Sequence, residues 1–79
     1  MYYVYILQSL KDKNLYIGYS DNINRRVEEH NKGKVESTKN RRPLKLISYS
    51  GFTERNKATD FEKYLKTGSG KAFLNKHFI

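Results

Sequence analysis

Two aromatic and β-branched runs, YYVYIL (Tyr2 to Leu7) and LYIGYS (Leu15 to Ser20), stand on either side of a polar break, KDKN. Such runs suit a half-buried pleated surface, and a break this short predicts that they pair as a β-hairpin. Alternation puts Val4 and Ile6 on one face of the first strand and Tyr3, Tyr5 and Leu7 on the other. In the second strand Leu15, Ile17 and Tyr19 share one face, and Tyr16, Gly18 and Ser20 the opposite one. Packing alone asks for apolar residues here. It does not ask for tyrosines around a glycine, followed closely by Arg25, Arg26 and His30.

The rest of the chain builds on that hairpin. SDNINRRVEEHNKG reads as a helix that Ser20 or Asp21 can cap and Gly33 can end, with Ile23, Val27 and Asn31 at helical spacing. Arg26 and His30 are four apart, so they share one side of it. KVESTKNRR, Lys34 to Arg42, lacks periodicity, carries four bases and reads as a mobile basic loop. After Pro43, LKLISYS alternates as a third strand with Leu44, Leu46 and Ser48 facing one way. ERNKATDFEKYLK is a second helix whose apolar stripe is Ala58, Phe61 and Leu65. TGSG breaks it, and KAFLNKHFI forms a short last helix pinned by Phe73, Leu74 and Phe78. The expected fold is α/β of the α+β type: a three-stranded, mainly antiparallel sheet flanked by helices, in the order β-β-α-β-α-α.

Seventy-nine residues allow one domain, residues 1–79, without a separate regulatory or substrate-binding module. The chain has no cysteine, which excludes disulfide staples and thiolate metal sites, and its two histidines are far apart, which argues against zinc. The start MYYVYILQSL is too short for a membrane span and lacks a basic leader, so a soluble, cytoplasmic protein is expected. Sixteen Lys and Arg against eight Asp and Glu leave a net charge of +8. On so small a surface that excess favours a polyanion, and nucleic acid is the natural one, bound through counterion release.

GSGK, Gly68 to Lys71, resembles the end of a phosphate-binding loop. That loop needs a glycine six residues before the lysine, a Ser or Thr after it and a strand in front. Here those positions hold Leu65 and Ala72, behind a helix, so a helix stop explains the glycines. The stronger constellation is Tyr5, Tyr16, Arg26, His30 and Glu62, drawn from two strands and two helices. Each has an ordinary structural reading. The tyrosines suit strands, Arg26 a solvated surface, His30 the negative end of a helix dipole, and Glu62 an i,i+4 pair with Lys66.

Together, at these intervals, they resemble the GIY-YIG nuclease family. Tyr3-Val4-Tyr5 stands where that family has its first tripeptide, with Tyr3 in place of glycine, and Tyr16-Ile17-Gly18 matches the second. Arg26 and His30 fall ten and fourteen positions after Tyr16, as in the family's first helix, and Glu62 stands in ATDFEKYL, similar to its metal-binding segment. YVYIL, LYIG and EKYLKTGSGK resemble the small stand-alone UvrC-like or UPF0213-type subgroup. Asn75, thirteen residues after Glu62, is a counterpart of the family's late asparagine.

The resemblance implies a DNA endonuclease using one divalent cation, Mg²⁺ or Mn²⁺, on Glu62, with Tyr5, Tyr16, Arg26 and His30 as catalytic residues. Arginine presents a fixed fork of donors to a phosphate oxygen, and a tyrosine beside positive charge can act as base. His30 would orient a tyrosine hydroxyl or relay its proton. Gly18 would let a substrate backbone approach the strand, and Arg25, Lys39, Arg41, Arg42 and Lys45 would hold flanking phosphates without reading sequence. Duplex, branched, nicked and single-stranded DNA, and RNA, all suit the charge, and a role in repair or recombination rests on analogy. The alternative is a nucleic-acid-binding module that keeps the fold without the activity.

Overall fold

The computed structural model describes residues 1–78; Ile79, which the sequence places in the last helix, lies outside the described residues. The elements follow the expected order: β1 (Tyr2–Ser9), β2 (Leu15–Ser20), α1 (Ile23–Asn31), β3 (Leu44–Phe52), α2 (Arg55–Leu65) and α3 (Gly68–Phe78). A short 3-10 turn at Lys39–Arg41 precedes β3. The sheet is antiparallel throughout, with β1 central between β2 and β3. Both hairpin strands show the alternation that the sequence predicts.

Val4, Ile6 and Ile17 pack against Ala58, Leu65 and Leu74, so α2 and α3 cover one face of the sheet. Tyr5, Leu7 and Leu44 form a second cluster with Tyr16, Val27 and Leu46 on the α1 face. Each fully buried leucine contributes about 1.5–3 kcal/mol relative to an exposed one, and β1 supplies residues to both clusters.

The register of β3 differs from simple alternation. Leu7 pairs with Leu46 while Ile6 pairs with Ser48, so one extra residue is accommodated between them. Such a bulge turns the side chains beyond it over. Leu44 and Leu46 face α1 as expected. Ser48 instead lines the other face with Val4, Ile6 and Phe61, and Tyr49 comes opposite Tyr5.

Helix α1 starts one residue later than its expected caps. Asn22 is the cap, its Oδ1 accepting the backbone N–H of Arg25 at 3.1 Å, while Ser20 Oγ accepts from Asn22 N and fixes the entry. The far end is closed by Gly33 at φ +77°: its N–H reaches His30 O, and Lys34 N–H reaches Glu29 O. That pair of bonds is the Schellman closure, and the positive φ favours glycine there.

The segment Lys34 to Arg42 is fastened down, contrary to its reading as a mobile loop. Val35 and Thr38 are buried, and Ser9 Oγ, itself wholly buried, donates to Arg41 O at 2.6 Å. Asn31 brackets the return of the chain, donating from Nδ2 to Leu44 O and accepting from Leu44 N at 2.9 and 2.8 Å. Its polar composition hid these anchors.

The glycines after α2 open the last helix instead of only ending the second. Thr67 Oγ1 accepts the N–H of Gly70, and a Cβ at Gly70 would lie 2.0 Å from Tyr64 O and 2.5 Å from Leu65 Cα. Glycine is required there so that α3 can cross close over the end of α2. Leu74 is buried as expected, whereas Phe73 is exposed and lies beside His77 and Phe78.

Candidate active site

Tyr5 sits on the central strand with 1% of its surface exposed, and its ring lies across Gly18 of β2. A Cβ at position 18 would come within 2.2 Å of Tyr5 Cζ and 2.3 Å of its oxygen. The opening above Gly18 is therefore filled by Tyr5, not left for a substrate backbone. Glycine lets the phenol pass over the neighbouring strand, beside Tyr16, whose ring centroid is 6.4 Å away.

His30 reaches the same point from α1. Its Nε2 is 3.0 Å from Tyr5 Oη, its Nδ1 is 2.7 Å from Thr38 Oγ1, and both His30 and Thr38 are wholly buried. Tyr16 packs edge-on against the imidazole, at 5.0 Å between centroids. Thr38 is the member that the sequence reading missed. It lies in the segment without periodicity, and no spacing rule connects it to His30 eight residues earlier.

Thr38 and Tyr5 together bracket the imidazole, one hydroxyl at each ring nitrogen. Among the described residues the Thr38 hydroxyl has no side-chain partner but His30 Nδ1. If Nδ1 carries the proton the Thr38 hydrogen is left over, and if Nε2 carries it the Tyr5 hydrogen is, each at a cost of about 1–3 kcal/mol unless the hydroxyl turns to another acceptor. Two neutral arrangements fit the distances: Thr38 donating to Nδ1 with Nε2–H donating to the Tyr5 oxygen, or Tyr5 O–H donating to Nε2 with Nδ1–H donating to Thr38 Oγ1. In either arrangement His30 orients the Tyr5 hydroxyl, and in the second its Nε2 faces the Tyr5 proton. Burial, aided by the positive charge of Arg26, holds the His30 pKa below its ordinary value and keeps the ring neutral.

Burial pushes the Tyr5 pKa up to about 12; hydrogen bonding to Arg26 and that residue's charge pull it back, while Tyr16 and Glu62 push it further up. Arg26 is braced by Glu29, with Nη1 donating to Oε1 at 3.1 Å. Glu62, from α2, has a side chain 22% exposed, and its Oε2 accepts from Lys66 Nζ at 3.1 Å. The other four residues of the constellation thus all act on Tyr5: His30 by a hydrogen bond, and Arg26, Tyr16 and Glu62 through its pKa.

Among the described residues no three His, Cys, Asp or Glu side chains gather as a preformed metal cage. The carboxylate that the family resemblance points to is Glu62 alone, 22% exposed and bonded to Lys66 in the free protein. A single carboxylate suits a hard cation such as Mg²⁺, which keeps several waters and is commonly held by one or two carboxylates plus substrate phosphates.

Two grooves flank the cluster. One, of about 540 Å³, is lined by Tyr2, Tyr19, Arg25, Arg26 and Arg55 among others. Arg25 is exposed there and pairs with Asp21 at 3.4 Å; Arg55, which the sequence reading did not single out, adds a third guanidinium. The other groove places Asn75 beside Tyr16. The remaining bases engage their own chain: Lys39 pairs with Glu36, Arg41 with Asp12, and Arg42 Nε donates to Lys39 O. Lys45 is exposed on β3, opposite Gln8. No helix is long and apolar enough to cross a membrane among the described residues.

A family model for the GIY-YIG catalytic domain matches residues 1–76. A UPF0213 protein of Clostridium perfringens is 39% identical over 67 residues, covering 84% of this chain and 71% of its own. One of Staphylococcus haemolyticus is 41% identical over 69 residues, covering 86% and 83%. The solution NMR structure of the UPF0213 protein BH0048 from Bacillus halodurans superposes with a TM-score of 0.57 at 32% identity, covering 96% of this chain and 84% of that one.

Proposed function

The chain belongs to the GIY-YIG catalytic domain family, a family of nucleases, and we propose on that ground and on the setting of Tyr5 that it is an endonuclease hydrolysing phosphodiester bonds of DNA. The observation that carries the reading is the buried Tyr5 oxygen, 3.0 Å from His30 Nε2, with Arg26 and Glu62 acting on its charge. A tyrosine placed only for packing needs one partner for its hydroxyl. It does not need an arginine, a carboxylate and a histidine fixed by a buried threonine.

Tyr5 acts as the base toward an attacking water. With a pKa near 12 it keeps its proton in the free protein, and becomes competent only when more positive charge is brought beside it. His30 and the guanidinium of Arg26 then hold the phenolate, and Tyr16 packs edge-on against the imidazole. Arg26 also faces the groove and offers donors to a non-bridging phosphate oxygen. Glu62 would hold a divalent cation, Mg²⁺ or Mn²⁺, which would supply positive charge to the scissile phosphate and the leaving oxygen.

Glu62→Ala tests this reading against metal-dependent cleavage of labelled DNA. Cleavage lost with fold and DNA binding retained supports it, and undiminished cleavage excludes Glu62 as the ligand. The binding-module reading has one observation in its favour, the pairing of Glu62 with Lys66, which occupies the carboxylate in the free protein. Clean binding without cutting by the wild-type chain, across metals and substrates, would establish that alternative.

A further inference from the structure

Between β2 and the α2–α3 corner runs a groove of about 460 Å³, within the range of small-ligand sites. Leu15, Ile17, Leu65 and Leu74 form an apolar floor, and Lys66 and Lys71 contribute to its lining. Asn14 and Asn75 add amide groups, and Tyr16 belongs to both this groove and the Tyr5 cluster. Lys66 is the residue bonded to Glu62. Lys71 is exposed and forms no ion pair among the described residues.

An apolar floor with two ammonium groups is an unsuitable surface for a duplex. In a duplex the base faces are stacked on one another, and what turns outward is phosphate, sugar and base edge. One unstacked nucleotide offers what the groove lacks: a flat apolar base for the leucines and Tyr16, polar base edges for the two amides, and phosphate charge for Lys66 and Lys71. The net charge of +8 supplies the attraction for the strand that carries it.

Resting on the nuclease reading above, we propose that this groove receives an unpaired nucleobase of the substrate strand next to the phosphate at Tyr5, and that the substrate is therefore DNA that is single-stranded or displaced at that nucleotide. Lys66 then has two anionic partners to choose between, so a strand entering the groove draws it from Glu62 and frees the carboxylate. The free-nucleotide form of the same chemistry lacks the following phosphates and engages fewer of these groups.

The test is titration of the wild-type chain, in chelator so that nothing is cut, with a twelve-nucleotide strand that cannot self-pair, its duplex, and thymidine monophosphate. Fluorescence anisotropy and amide chemical shifts report affinity and place. The single strand should bind about tenfold more tightly than the duplex, with the largest shifts at Leu15 to Ile17 and at Lys71 to Asn75. Lys71→Glu, an exposed change in the first turn of α3 where an acid is tolerated, should remove that advantage while lowering duplex affinity far less. Equal affinity for strand and duplex, shifts confined to the arginine groove, or mononucleotide binding as tight as the strand would each overturn the proposal. The nuclease reading fails separately: strand preference in the groove with no cutting on adding Mg²⁺ or Mn²⁺ sinks the reading and leaves the groove standing, whereas cutting without strand preference does the reverse.

Discussion

At the scale of residues, the chemistry depends on how few hydrogen-bond arrangements the buried trio of Thr38, His30 and Tyr5 allows. Thr38→Val keeps the shape and removes the hydroxyl bonded to Nδ1. Nδ1 then lacks its partner and the balance of ring tautomers shifts, which nitrogen-15 shifts of His30 will report, and cleavage should fall by about 10²-fold, within the range for a displaced acid–base group. Thr38→Ser should restore both, a rescue that a packing role alone would not give. His30 also imposes a pH dependence on stability. Its folded pKa is lowered from 6.5, so as pH falls through that value the unfolded chain takes up a proton that the folded chain resists. Stability present above pH 6.5 is therefore lost progressively as pH falls below that value. Urea midpoints between pH 7.5 and 5 should decrease, and His30→Gln should flatten that dependence. Tyr5, Tyr16, Arg26, His30 and Glu62 were legible in the sequence because motif spacing joins them. Thr38 and Arg55 were not, since no periodicity links a loop residue or a helix start to a distant ring.

At the scale of elements, alternation and helical spacing gave the hairpin, α1 and α2 with few errors, because each buries one regular face. The failures lie where geometry breaks a period. The bulge in β3 turns Ser48 to the opposite face, a shift that no two-residue repeat contains. The glycines at the α2–α3 corner read as a stop because glycine usually is one, whereas Gly70 is there for the crossing of two backbones. Gly70→Ala should cost about 1–3 kcal/mol in denaturation, the usual penalty of forcing volume into a packed contact. Gly18→Ala meets a ring instead of backbone. It should displace Tyr5 and abolish cleavage at a smaller loss of stability than Gly70→Ala, and equal losses of stability with cleavage intact would refute the placement of Tyr5 over β2.

At the scale of the whole molecule, α1, β2 and α2 bring their polar residues to one margin of a sheet whose faces are otherwise occupied by core. The charge expected from composition is present, but its arrangement was not legible: Lys39 and Arg41 pair with neighbouring acids, while Arg25, Arg26 and Arg55 share a groove. Replacing Arg25 and Arg55 with Ala should lower the slope of log affinity against log salt by up to about 0.9 per lost phosphate contact, and replacing Arg41 and Arg42 should lower it less. The account as a whole stands on Tyr5 being a reacting group and not only a core aromatic. Single-turnover cleavage of flapped and single-stranded DNA in Mg²⁺ and Mn²⁺ by Tyr5→Phe, set beside wild type, measures this directly, because one oxygen is removed and the ring remains. The account predicts a rate lower by about 10²–10⁴-fold with fold and DNA affinity retained. A Tyr5→Phe variant that cuts as fast as wild type would contradict it.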